Sequence, residues 1–260
     1  MRGEWLPRAG VRGDLRGSRQ CMRASWLVLP AVLLAVAGCS SAAGPGAIAG
    51  VGGPLPPHTV TTGLGSHRQA ELDVVSGATT VTVGTASLGS ELVRASTPSD
   101  SGVRPDLVVS GGTVQVYLDQ GGQSGRDGPA ALVVLLNSGV TWRLLFGGGA
   151  SQTSVDLGAG RFGGADFAAG SSLITMRLPQ PRGTVTVVLA GGASQMSLSI
   201  PSGVPARLRL DGGASTATLG GRTYTGIAGG TVLTAPGWAT AASRYEIDAP
   251  AGVSAISVSS

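Results

Sequence analysis

The sequence predicts an all-β fold, a solenoid of short stacked strands, and three observations carry that prediction. Apolar and polar residues alternate with period two in short runs. Glycine-rich turns recur at near-constant spacing. Bulky side chains are scarce: 44 of 260 residues are Gly, aromatic residues make up 4% and charged residues 12%, against about 25% charged in ordinary globular chains. Apolar residues still reach 42%, enough to bury thin layers of Val, Leu and Ile. A repeat stack uses such layers better than one thick core does.

The alternation is plain in several runs. Thr79-Thr80-Val81-Thr82-Val83, Thr113 to Leu118 and Ala131 to Leu136 are early strands. Ile174, Met176 and Leu178 alternate with Thr175 and Arg177; Met196, Leu198 and Ile200 alternate with Ser197 and Ser199. Period two sends one set to a buried face and the other to solvent. Beyond the amino-terminal leader, no long window carries the i, i+3, i+4 spacing of a helix.

The runs also repeat. Gly148-Gly149-Ala150-Ser151 returns as Gly191-Gly192-Ala193-Ser194, as Gly212-Gly213-Ala214-Ser215 and, degenerately, as Ala251-Gly252-Val253-Ser254. The offsets of 43, 21 and 39 are two, one and two units of roughly 20 residues. Gly170-Ser171-Ser172 and Gly229-Gly230-Thr231 fall near the missing multiples. Glycine before each strand allows the backbones of neighbouring coils to approach closely. Thr97 to Asp127 fits the period badly.

The amino terminus is a leader rather than part of the fold. Met22-Arg23-Ala24-Ser25 forms a short positive region, and the apolar run Trp26 to Ala37 has the length of a signal helix rather than a membrane span. It ends Val36-Ala37-Gly38-Cys39, which resembles the lipobox of bacterial lipoproteins. That resemblance implies cleavage between Gly38 and Cys39 and lipidation of the Cys39 thiol. Two or three acyl chains hold a protein stably at a membrane, where one is marginal. Residues 1–21 form an upstream extension, 22–38 the signal peptide, 39–70 the lipidated cysteine and flexible linker, and 71–260 the β-strand repeat domain. The linker's Gly44-Pro45-Gly46 and Gly52-Gly53-Pro54-Leu55-Pro56-Pro57 bury too little apolar surface to offset the entropy of ordering.

The leader also distorts the net charge of +4. Six arginines and two acids precede Cys39, leaving twelve of each sign and a neutral mature chain. No basic footprint for nucleic acid remains. Every basic residue is Arg, and Asn137 is the only Asn.

The Gly-Gly-Ala-Ser strands, Leu178-Pro179-Gln180-Pro181-Arg182-Gly183-Thr184, and the ending Gly237-Trp238, Arg244 to Asp248 and Gly252-Val253-Ser254 resemble the adhesin-type β-strand-repeat proteins. The toast-rack domains of cell-envelope stress proteins are related to them. The resemblance covers residues 70–260 and is densest over 145–260. It implies a single-stranded, right-handed β-solenoid of stacked parallel strands.

Catalytic chemistry finds little footing. Gly158-Ala159-Gly160-Arg161-Phe162-Gly163 matches G-x-G-x-x-G, but a dinucleotide site needs a helix immediately afterwards. Gly164-Ala165-Asp166-Phe167 leads to another glycine turn instead. Asp156, Asp166 and Asp211 do not share a repeat phase, so stacked calcium ligands are not expected. His58 and His67 both fall in the linker and are expected to be solvated. Absence of Lys removes phosphate-loop and Schiff-base chemistry. Cys39 is the only thiol after the leader, and lipid blocks it. Glu246 and Asp248 share a strand face with Arg244, as an exposed charge ladder on the last coil. Trp142, Tyr224, Trp238 and Tyr245 are the remaining candidates; Trp238 and Tyr245 are expected to be surface or capping aromatics near the chain end.

The expectation is a non-enzymatic, lipid-anchored module on the extracytoplasmic face of the cell membrane, structural or adhesive in kind. It requires no cofactor and no metal, and an envelope protein or a glycan is its partner. The alternative is an accessory sensor of an envelope stress response.

Overall fold

The structure, a computed structural model, describes residues 58–120 and 128–260, all within the unit Val51–Ser260. The signal peptide, Cys39 and the linker up to residue 57 lie outside the described residues. Those described form strands, turns and bends without a helix.

Among the described residues, nineteen strands make two mixed sheets. The first contains β1 (His58–Gly63), β3 (Ala78–Ala86), β4 (Glu91–Thr97), β7 (Ala131–Asn137), β9 (Ala150–Asp156), β11 (Ser171–Arg177), β13 (Ala193–Ser199), β15 (Ala214–Leu219), β16 (Arg222–Ile227) and β19 (Val253–Ser259). The second contains β2 (Gln69–Val74), β5 (Val103–Ser110), β6 (Thr113–Gln120), β8 (Thr141–Phe146), β10 (Arg161–Phe167), β12 (Thr184–Val188), β14 (Ala206–Leu210), β17 (Thr231–Thr234) and β18 (Arg244–Asp248). From β7 to β15 the chain alternates strictly between them, one strand in each. The interior of both sheets is parallel, and the hairpin-like reversals lie at the edges.

Period two builds the core directly. In the first sheet Val134, Val83, Val155, Met176, Leu198, Val258 and Leu219 stand in register across seven neighbouring strands. All seven are buried, and they join side chains of the second sheet in one apolar cluster. Between them, Thr82, Ser154, Thr175, Ser197, Ser257 and Thr218 form an in-register hydroxyl row on the outer face. Ser257 Oγ donates to Ser197 Oγ at 3.2 Å along it. Small polar residues thus keep a long sheet face wettable at little cost in side-chain entropy.

The glycine turns have a steric cause. A Cβ on Gly191 would stand 2.2 Å from the Ala169 carbonyl carbon, and Gly148 and Gly212 meet the backbone of a neighbouring turn just as closely. Each begins a repeat whose strand enters the first sheet. Gly229-Gly230-Thr231 departs from that pattern, because it leads into β17, an antiparallel edge strand of the second sheet.

Strand order differs from a simple coil-after-coil stack at both ends. The first sheet runs β1-β4-β7-β3-β9-β11-β13-β19-β15-β16, the second β17-β14-β18-β12-β10-β8-β2-β6-β5. The β6/β7 pair therefore lies outside β2/β3, and the reversed strands β4 and β5 lie outside that. At the other end β14/β15 are laid down first and β16 and β17 reverse against them. The chain then returns to insert β18 and β19 beside β12 and β13. The strands expected to form an outermost last coil are interior ones. Within the poorly fitting stretch that begins at Thr97, β5 runs antiparallel to β6, so Val103–Ser110 does not follow the phase of the parallel repeats.

The repeat fold also begins before residue 71. His58-Thr59-Val60-Thr61-Thr62 alternates, and pairing with β4 compensates the ordering entropy that the composition made decisive. His58 accordingly sits in a strand, with its Nδ1 buried and unpartnered, not in a solvated linker. His67 lies in the turn that follows, its amide donating to the Leu64 carbonyl.

Candidate functional site

A groove of about 820 Å³ lies along one rim, where chain leaving the first sheet enters the second. Three successive turns build it, at Ser138, at Gly158-Ala159-Gly160 and at Pro179-Gln180-Pro181-Arg182. The first residues of β2, β8, β10 and β12 complete the wall through Gln69, Thr141, Arg161 and Thr184. These strands are neighbours, so the groove runs across strand ends roughly 4.8 Å apart.

Two exposed arginines dominate its chemistry. Arg161 Nη1 donates to the Gly139 carbonyl at 3.2 Å, which holds its guanidinium along the rim. Arg182 makes no ion pair and no side-chain hydrogen bond with another of the described residues. No carboxylate lines the groove. Acids on strands beside it hold other arginines: Glu71 pairs with Arg143 at 3.6 Å, Asp156 with Arg177 at 3.7 Å, and Glu246 with Arg207. A neutral body thus presents a locally positive cleft.

The wall behind Arg182 is rigid. Pro179 and Pro181 are buried, and the turn closes at Gly183 with φ +81°. The Tyr245 hydroxyl donates to the Pro179 carbonyl at 2.7 Å. Tyr245 is fully buried, and burial pushes its phenol well above the ordinary tyrosine value. Its ring lies 6.5 Å from that of Phe162, which forms part of the groove floor. G-x-G-x-x-G therefore contributes a turn and a β-bulge at Gly163, with strand rather than helix around it.

The aromatic candidates do not form an exposed row. Trp142 is buried, its indole donating to the Asn137 carbonyl at 3.0 Å. Tyr245 belongs to the core, which corrects its expected place among surface or capping aromatics: it stands at an inward position of β18. Tyr224 is exposed on β16. Trp238 is half-buried in the loop between β17 and β18, with Arg207 3.7 Å and Arg244 4.3 Å from its ring. Arg244 also donates to the carbonyls of Trp238 and Ala239, each at 3.0 Å, fastening the loop to the sheet. Arg244, Glu246 and Asp248 do share the outward face of β18. Arg207 of β14 meets Glu246 there, so that ladder lies between two strands rather than at an edge. Gly38 and Cys39 lie outside the described residues.

Among the described residues, no three His, Cys, Asp or Glu side chains group as metal ligands. The groove escaped sequence reading because its residues come from four separate segments. Its one local signal was Pro179-Gln180-Pro181-Arg182, a stiff turn carrying an unpaired cation.

No protein-family model matches the chain, and no curated protein matches it. Solved structures do. A candidate cell adhesion protein from Clostridium sporogenes ATCC 15579 is similar at TM-score 0.55 and 12% identity, over 78% of this chain and 99% of that one. A candidate adhesin from Bacteroides fragilis NCTC 9343 aligns over 78% of this chain and 97% of its own, at TM-score 0.24 and 7% identity. The first likeness shows that the chain shares its all-β fold with that protein.

Proposed function

We propose that the protein is a non-enzymatic, adhesion-like binding module, held by lipid on Cys39 at the extracytoplasmic face of a bacterial membrane. The observation that carries the reading is the fold shared with the candidate cell adhesion protein from C. sporogenes over nearly its whole length. The rim groove supports it further, offering hydrogen-bonding and cationic groups without an acid, base or nucleophile set for catalysis. The parallel interior strand pairs wind, in this proposal, as a right-handed solenoid that displays the groove above the membrane.

The anchor and the binding role are tested together. Cys39→Ser is expected to move the protein from the membrane fraction to the soluble fraction. Crosslinking of the anchored protein on cells is expected to capture an envelope protein or cell-wall glycan. Retention of the Cys39→Ser protein in membranes sinks the anchor. Capture of a sensor kinase alone would replace the adhesive role with a sensory one.

A further inference from the structure

We propose that the rim groove is a binding site for an acidic envelope glycopolymer, a carbohydrate chain bearing carboxylate or phosphate groups. The proposal rests on the binding-module reading above and names the ligand class for its groove. Three features point to a linear anion rather than a small neutral sugar. The groove is elongated across the ends of neighbouring strands, so it offers repeated positions instead of one enclosed pocket. Arg161 and Arg182 project from β10 and from the turn before β12, strands adjacent in the sheet, with no carboxylate between them to neutralise either. Gln69, Thr141, Gln180 and Thr184 flank them with amide and hydroxyl groups suited to sugar hydroxyls.

Arg94, Arg143, Arg177 and Arg207 each hold a carboxylate of this chain. Arg68, Arg104, Arg209, Arg222 and Arg244 make no ion pair with a described residue, so it is their place on the groove that marks Arg161 and Arg182. Arg161 and Arg182 are left for an external anion, and guanidinium binds carboxylate and phosphate through paired donors. The absence of an exposed aromatic row among the described residues removes ring stacking as the main source of affinity. Charge and hydrogen bonding must supply it, and binding must then weaken as salt rises.

The test uses the full chain in detergent micelles with three polymers of matched length: polygalacturonate, polyglycerol phosphate and neutral dextran. Arg161→Gln and Arg182→Gln should each weaken anion binding roughly fivefold, and the double variant roughly twentyfold. Arg104→Gln, at an exposed site on β5, should leave it unchanged. Arg182→Glu reverses the charge on a solvent-exposed turn and should abolish binding without lowering the melting temperature. Preference for polygalacturonate or for polyglycerol phosphate, with this variant pattern, upholds the proposal and identifies the anion. Equal binding by parent and double variant overturns it, as does equal loss in Arg104→Gln or undiminished binding to dextran. If the double variant still captures the partner crosslinked on cells, the groove assignment fails while the binding-module reading stands.

Discussion

The hydroxyl of Tyr245 donates to the carbonyl of Pro179 at 2.7 Å, bridging 66 residues and tying an inserted strand to the wall of the groove. Both groups are buried. Tyr245→Phe leaves the Pro179 carbonyl without that donor and is expected to cost about 1–2 kcal/mol by urea denaturation at pH 7.

The same phenol sets an alkaline limit. Its folded pKa lies above the unfolded value of about 10. Between those values the native state holds a proton that the unfolded chain has lost. The contribution is therefore complete below about pH 10 and declines above it, by about 1.4 kcal/mol per pH unit. Denaturation series from pH 9 to 11.5 should show the decline in the parent and a shallower one in Tyr245→Phe. Parallel curves would remove Tyr245 as the cause.

Trp238 holds the outer face of the second sheet together at the inserted strand. Its ring faces Arg207 and Arg244, and its Nε1 donates to the Tyr245 carbonyl at 2.9 Å. Trp238→Ala removes two cation–π contacts and a hydrogen bond, for an expected loss of about 2–3 kcal/mol. Trp238→Phe keeps a ring between the arginines and should lose about half as much. Equal losses would assign the effect to the indole N–H bond, which both variants lack.

Much of the fold was legible because burial and pleat share one period. Ile174, Met176, Met196 and Leu198 announced their inward face, and the glycines at 148, 191 and 212 marked starts of strands in one sheet. What periodicity cannot encode is the order in which equivalent strands stack. The turns at Gly148, Gly191 and Gly212 make similar backbone approaches, so the residues of β18 and β19 look the same whether they form the outermost coil or an inserted one. His58–Gly63 was hidden by a composition typical of linkers, although its alternation was present. The groove was illegible for a different reason: Gln69, Thr141, Arg161 and Arg182 acquire a common purpose only once three turns share a rim.

The glycine turns make a clean steric prediction. Gly191→Ala puts a methyl 2.2 Å from backbone that cannot rotate away, so neighbouring turns must separate. The expected cost is about 3 kcal/mol. Gly63→Ala, where no atom lies within 4 Å of the added carbon, should change stability by less than about 0.5 kcal/mol. Thermal or urea unfolding of the two variants side by side checks it; equal effects would dismiss close approach as the reason for glycine at Gly191.

Insertion of β18 and β19 predicts how the chain responds to shortening. In a stack whose last coil is outermost, trimming that coil exposes one new edge and leaves the remaining interfaces intact. Here the strands to be trimmed lie between β12 and β14 in one sheet and between β13 and β15 in the other. A chain ending at Ala242 loses the buried side chains of Tyr245, Ile247, Val253, Ile256 and Val258. It also leaves β14 and β15 without parallel neighbours. Burial of five such side chains contributes on the order of 10 kcal/mol, comparable with the whole stability of a domain. The shortened chain should therefore lose cooperative unfolding by circular dichroism. Adding a separate peptide of residues 243–260 should restore part of the β signal, because the gap it fills is bounded by strands already encoded upstream. A cooperative transition near the parent's temperature, without the peptide, would mean that the two strands are not structurally interior.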